Sequence, residues 1–169
     1  MNENEIKTHD LYFSAYLKAK GCQIIEIERD GTKTIFTFAI PEPNKASELK
    51  NGYFDTGDDR FTARACAFAD AIRSLKTLCH VKDEGGDTII TPDLYFAAYL
   101  KTKNCDVKTA SKNSYKTVFV FNVKNSGMSI LELKLGYFNN IDDAMCTVNA
   151  SSYTDAVRSL KTMCHITSN

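Results

Sequence analysis

Asp93–Cys105, DLYFAAYLKTKNC, restates Asp10–Cys22, DLYFSAYLKAKGC, and each copy leads into the same succession of downstream motifs. Self-similarity at this period makes the 169-residue chain a tandem of two like units. The first is expected over residues 6–81 and the second over 90–166. Residues 82–89 between them, which begin Lys82-Asp83-Glu84-Gly85-Gly86-Asp87, read as a charged, glycine-containing linker.

Outward from the quoted stretch, the local signals repeat in order. Thr91-Pro92-Asp93 reads as a helix start: a side-chain cap, a proline where its missing N–H does no harm, and a carboxylate at the positive end. The helix is unusually aromatic, with Leu11, Tyr12, Phe13, Ala15, Tyr16 and Leu17 matched by Leu94, Tyr95, Phe96, Ala98, Tyr99 and Leu100. At 100° per residue these cover more of the circumference than one sheet face needs. Gly21 and Asn104 suit a helix terminus.

A hairpin follows, Gln23–Arg29 and Lys33–Ile40 around Asp30-Gly31, with Asn113-Ser114 as the second copy's turn. Phe36 with Phe38, and Phe119 with Phe121, keep period two. A short helix ending at Gly52 or Gly136 comes next. A third strand is expected near Arg60–Arg64 and Met145–Asn149. The last helix shows one apolar face, Phe68, Ala71, Ile72, Leu75, Leu78 and Cys79, matched by Tyr153, Ala156, Val157, Leu160, Met163 and Cys164. The expected fold is α+β: two tandem α-β-β-(α)-β-α units, each a small antiparallel sheet with helices on one face, packed as a pseudo-twofold pair.

Composition excludes several classes. Hydrophobic residues make up 43% and charged residues 25%, ordinary for a globular chain. Only Met1–Glu5 reads as disordered. No apolar run approaches the ~20 residues of a membrane span and MNENEIK is no signal peptide, so a cytoplasmic protein without membrane contact is expected. Cys22 aligns with Cys105 and Cys79 with Cys164, while Cys66 aligns with Ser151 and Cys146 with Phe61. A disulfide framework does not drop cysteines this freely, so free thiols are expected. Net charge is zero, yet residues 1–84 carry 12 basic and 14 acidic side chains and residues 85–169 carry 9 and 7. Neither half is strongly basic.

The combination D-L-Y-x-A-A-Y-L, a strand hairpin, a G-Y-F segment and A-D-A-x-R-S-L-K resembles a small phage and bacterial domain family of unknown function. The resemblance covers Asp10–His80 and Asp93–His165. It implies a mobile-element or phage-like context, in a bacterial or phage-infected cell, and brings no activity, cofactor or site residues. The expected order α–β–β–β–α is also similar to that of the double-stranded RNA-binding domain. Such domains grip phosphates with lysines opening the last helix. Here that helix opens without lysine, at Cys66–Asp70 and Ser151–Asp155.

Candidate binding residues fall into three groups. The polar face of the last helix, Asp70, Arg73, Ser74, Lys76, Thr77 and His80, reappears as Asp155, Arg158, Ser159, Lys161, Thr162 and His165. It reads as a solvated face or as a duplicated anion site. Tyr12, Tyr16, Tyr95 and Tyr99, with Tyr53 and Tyr137, could stack bases but more commonly serve as core. The second hairpin region collects Lys101, Lys103, Lys108, Lys112, Lys116 and Lys124 against Asp106. These suit phosphate contacts or an edge strand protected by charge.

Cys79-His80 and Cys164-His165 point about 100° apart on a helix, which disfavours both a metal site and a nucleophile–base dyad. No P-loop, G-x-S-x-G, glycine fingerprint or H-E-x-x-H occurs. The expectation is a non-catalytic tandem binding protein without cofactor or metal, its partner a nucleic acid, single-stranded among the options. The alternatives are a phage-type adaptor or inhibitor of a host protein, and sequestration of a small anionic ligand such as a nucleotide. A homodimer is compatible with each.

Overall fold

The structure is a computed structural model that describes residues 4–42, 45–54, 62–113, 116–139 and 147–166. It divides into two compact units, Met1–Lys76 and Thr77–Asn169. The first contains β1 (Glu5–Thr8), α1 (Leu11–Ala19), β2 (Gln23–Asp30), β3 (Lys33–Ala39), α2 (Lys45–Phe54) and most of α3 (Ala65–His80). The second contains the end of α3, then β4 (Lys82–Asp83), β5 (Thr88–Thr91), α4 (Leu94–Thr102), β6 (Asp106–Asn113), β7 (Lys116–Asn122), α5 (Ile130–Phe138) and α6 (Ala150–Ile166). The class is α+β, with antiparallel sheets ordered β1-β3-β2 and β4-β5-β7-β6.

The two sheets share one register. Ile6 lies opposite Phe38 as Ile89 lies opposite Phe121, and Thr8 opposite Phe36 as Thr91 opposite Phe119. Even the irregularity recurs: β2 slips between Ile24 and Glu26, and β6 between Val107 and Thr109. A bulge of this kind places one extra residue, Ile25 or Lys108, on the edge strand. Phe36, Phe38, Phe119 and Phe121 are fully buried, each contributing about 2–3 kcal/mol of apolar transfer energy.

The third strand is not where the sequence reading put it. Thr62–Arg64 and Thr147–Asn149 have no regular structure, while Arg60, Phe61, Met145 and Cys146 lie outside the described residues. The strand lies ahead of the first helix, as β1 and β5, so each unit runs β-α-β-β-α-α. The local cue was thin, four residues in each copy, and pairing with the long hairpin strand supplies the rest. Glu5, read as part of a disordered start, belongs to β1. Residues 82–89, read as a linker, form β4 and the start of β5 around Gly85 and Gly86, both with positive φ.

The helix starts also shift. Thr8 and Thr91 end their strands, and Asp10 and Asp93 are the caps, accepting from Phe13 N–H at 3.0 Å and Phe96 N–H at 2.6 Å. The threonines brace these caps, each hydroxyl accepting the aspartate N–H at 3.1 Å. The helix ends are as expected: Gly21 and Asn104 take φ of +85° and +60°, and Cys22 and Cys105 donate back to Leu17 and Leu100 at 3.0 Å.

α2 and α5 do not stop at Gly52 and Gly136 but run on through the aromatic pairs. Tertiary packing overrides the ~1 kcal/mol cost of an interior glycine. Tyr53 meets Phe13 at 4.9 Å and Tyr16 at 5.3 Å, and Tyr137 meets Phe96 at 5.1 Å and Tyr99 at 5.2 Å.

Candidate functional site

The structure separates the candidate aromatics. Tyr16 and Tyr99 are core residues, so no base can stack on either without opening the core. Burial also raises the affinity of the Tyr16 hydroxyl for its proton, and that oxygen is buried with no hydrogen-bond partner among the described residues. Tyr12 and Tyr95, in the first turns of α1 and α4, are 54% and 55% exposed. Behind Tyr95 its backbone carbonyl accepts the Tyr153 hydroxyl at 3.0 Å. Burial, more than the neighbouring Tyr153 and Asp93, pushes the Tyr137 phenol far above its ordinary value.

The last-helix candidates are solvent-facing in both copies. Arg73, Lys76, His80, Arg158, Lys161 and His165 are all exposed. Arg73 pairs with Asp70 at 2.8 Å and Arg158 with Asp155 at 3.3 Å, as the i,i+3 spacing implies. Both pairs are more than two-thirds exposed, where an ion pair is screened and worth little.

The lysines of the second unit sort into two sets. Lys101 donates to the Ser159 hydroxyl at 2.6 Å, and Lys103 to the Thr147 carbonyl at 3.1 Å while its ammonium lies 5.5 Å from the Tyr99 ring centre. Lys124 lies 3.9 Å from Asp87. These three tie α4, α6 and the loops together. Lys108, Lys112 and Lys116 stay exposed along the β6–β7 hairpin. Lys108 occupies the bulge and reaches the Thr88 hydroxyl at 3.4 Å. Asp106, the acid at the far end of β6, accepts from the Asn125 amide at 2.6 Å.

One cleft of the second unit, about 360 Å³, joins residues that the sequence left apart. Thr77 and His80 from the end of α3 meet Pro92, Asp93 and Leu94 at the start of α4, with Lys116, Thr117 and Phe119 of β7 and Cys164 of α6. His80 and Lys116 were read as members of different patches. Both line this cleft, beside Thr77 and Thr117. Asp93 contributes a carboxylate that is already engaged as the α4 cap. Leu94 lines the cleft, and Tyr95 next to it in the first turn of α4 is exposed.

Sequence reasoning missed an ion pair with a buried ammonium. Lys134 on α5 donates to Asp83 on β4 at 2.5 Å, with side chains 7% and 47% exposed. Only an expectation of β4 could have found it. Among the described residues no group of three or more His, Cys, Asp or Glu could hold a metal ion. Among the described residues, Cys22, Cys66 and Cys105 are free thiols. No described helix is long and apolar enough to cross a membrane.

No curated protein and no solved structure matches the chain. A family model does match, over residues 3–79, and it is described as "Domain of unknown function (DUF5659)". The match stops one residue short of His80, so likeness of the second half to the first rests on the shared motifs, register and packing given above. Residues 3–79 therefore form a DUF5659 domain, a domain of unknown function.

Proposed function

We propose that the chain is a non-catalytic binding protein whose second unit contacts a nucleic acid, preferably single-stranded. The observation that carries this reading is the β6–β7 hairpin, which exposes Lys108, Lys112 and Lys116, in a unit where the Tyr95 ring is also exposed. Lysines that neutralise phosphates supply affinity, and an exposed aromatic supplies a stacking platform. The equivalent hairpin of the first unit carries Glu26, Glu28 and Asp30 and repels a polyanion. Fluorescence anisotropy with labelled single-stranded DNA, duplex DNA and duplex RNA at two salt concentrations tests the proposal. Binding should weaken steeply with salt, and Lys112→Glu with Lys116→Glu should weaken it by about tenfold or more. Undisturbed binding in that double variant, or none at low salt, sinks this reading.

A protein partner is the second reading, favoured by the matched exposure of Tyr12 and Tyr95. It predicts that Tyr12→Ala with Tyr95→Ala removes partner capture while the lysine reversals spare it. The cleft at His80 and Lys116 is the place for a small anion. A nucleotide bound there would raise the melting temperature, since a ligand that binds only the folded state stabilises it.

A further inference from the structure

The second unit shows what covers one side of this fold, and among the described residues the first unit has no such cover. In the sheet order β4-β5-β7-β6, β5 is an interior strand. Its counterpart β1, with the same register against the hairpin, is an edge in β1-β3-β2. β4 lays Asp83 opposite Ile89, and that carboxylate receives the buried ammonium of Lys134. Lys50 stands three residues before Tyr53, as Lys134 stands three before Tyr137. α2 seats on α1 as α5 seats on α4: Tyr53 lies 4.9 Å from Phe13 and 5.3 Å from Tyr16, and Tyr137 lies 5.1 Å from Phe96 and 5.2 Å from Tyr99. Yet Lys50 is exposed and forms no ion pair among the described residues.

A second difference falls on the same side of the same helix. Phe54, four residues after Lys50, is 67% exposed, whereas Phe138, four after Lys134, is 2% exposed. Residues at i and i+4 share a helix face. One face of α2 therefore presents a cation and a large apolar ring that α5 keeps covered.

We propose that the outer edge of β1, flanked by Lys50 and Phe54, docks an extended segment of a protein partner that places an acidic residue opposite Ile6. The backbone groups of the edge bind the incoming strand, and Lys50 selects its carboxylate, the division of labour usual in strand addition. The register of β4 on β5 sets the positions: Asp83 faces Ile89, whose counterpart is Ile6, and Lys82 faces Ile90, whose counterpart is Lys7. Like charges directly opposite repel, so the ligand carries no basic residue opposite Lys7. This surface goes beyond the hairpin proposed above and is independent of it.

The natural probe is the chain's own covering strand. A fluorescent peptide of residues 80–86 carrying Lys82→Thr should bind the full chain saturably at up to millimolar peptide. Lys50→Glu in the protein, or Asp83→Ala in the peptide, should weaken that binding at least fivefold, and Lys50→Glu should leave oligonucleotide binding unchanged. In a chain with Met1–Glu3 replaced by a second copy of Val81–Gly86 carrying Lys82→Thr, the edge is filled in cis. The melting temperature should then rise by about 3 °C, peptide binding should vanish, and Lys50→Ala should cancel the rise. Absence of peptide binding, or binding indifferent to Lys50 and to the graft, overturns the proposal. Dimerisation through β1 without a peptide response would make a second copy the occupant and overturn it equally.

Discussion

Lys134 and Asp83 put an ammonium in the second unit at 7% exposure against a carboxylate that still sees water. Removing either partner is not equivalent, because the desolvated charge is the lysine. Asp83→Ala strands a buried cation and should cost about 2 kcal/mol in urea unfolding, whereas Lys134→Met, which removes the charge and keeps the volume, should cost less than half of that. The α5 cap offers a pH-dependent counterpart. Ser129 accepts from Glu132 N–H at 3.2 Å and donates its own N–H to the Glu132 carboxylate at 2.7 Å. The backbone bond from Ser129 holds the Glu132 carboxyl below its ordinary value of 4.5. A depressed folded-state value means that the capping contribution is complete above 4.5 and fades as pH falls through the folded value. Thermal melts at pH 7 should show Ser129→Ala costing about 1 kcal/mol, and the gap between Glu132→Ala and the parent should narrow below pH 4.5. A gap that stays constant down that range would place the carboxylate outside the cap.

At the scale of elements, burial sorts the cysteines that the sequence treated alike. Burial pushes the Cys105 thiol up to about 11, only partly offset by a Ser126 hydrogen bond, and it raises Cys22 in the same direction. Cys66 is exposed near the start of α3. Alkylation at pH 8 followed by mass spectrometry should label Cys66 in minutes and leave Cys22 and Cys105 until the chain unfolds, since the thiolate is the reacting species. The turn after α4 makes a similar distinction: Asn104 sits at φ +60°, where Gly21 sits in the first copy. Asn104→Gly should be neutral or slightly stabilising and Asn104→Ala destabilising by about 1 kcal/mol. β1 and β5 share sequence position and register but differ in having an outer neighbour. Hydrogen exchange should be faster at the outward amides of β1 than at those of β5, and equal rates would mean that the β1 edge is covered.

For the whole molecule, equal numbers of acids and bases conceal two differently charged hairpins on a common plan. In the first unit the helix-free sheet face carries Glu5, Glu26 and Glu28, with Lys7 paired to Glu28 and Glu26 accepting from Thr37 at 3.2 Å. In the second, the corresponding face carries half-buried Ile90, Val118 and Val120. A common scaffold with divergent surfaces is the pattern expected when packing is kept and binding is altered. The salt dependence proposed above therefore belongs to the second unit, and reversing Arg29 and Lys33 of the first should leave oligonucleotide affinity within about twofold.

The repeat, the helix ends at Gly21 and Asn104, the hairpins and the apolar stripe of the last helix were legible because each depends on nearest neighbours: turn chemistry and periodicities of two and 3.6. The duplicated Arg and Lys faces of α3 and α6 were legible for the same reason, since helical spacing alone sets them. Pairing across the sheet decided the remainder. β1 and β5 are four residues each and become strands only against β3 and β7, and β4 is two residues held by Ile89, Ile90 and Lys134. Glycines 52 and 136 read as stops until Tyr53 and Tyr137 meet the rings of α1 and α4. Which tyrosines face solvent, and the meeting of His80 with Lys116 in one cleft, join residues far apart in sequence. Local sequence determined the units and their turns; long-range packing alone decided the third strand, the Lys134–Asp83 ion pair and, among the described residues, the edge left open on the first unit.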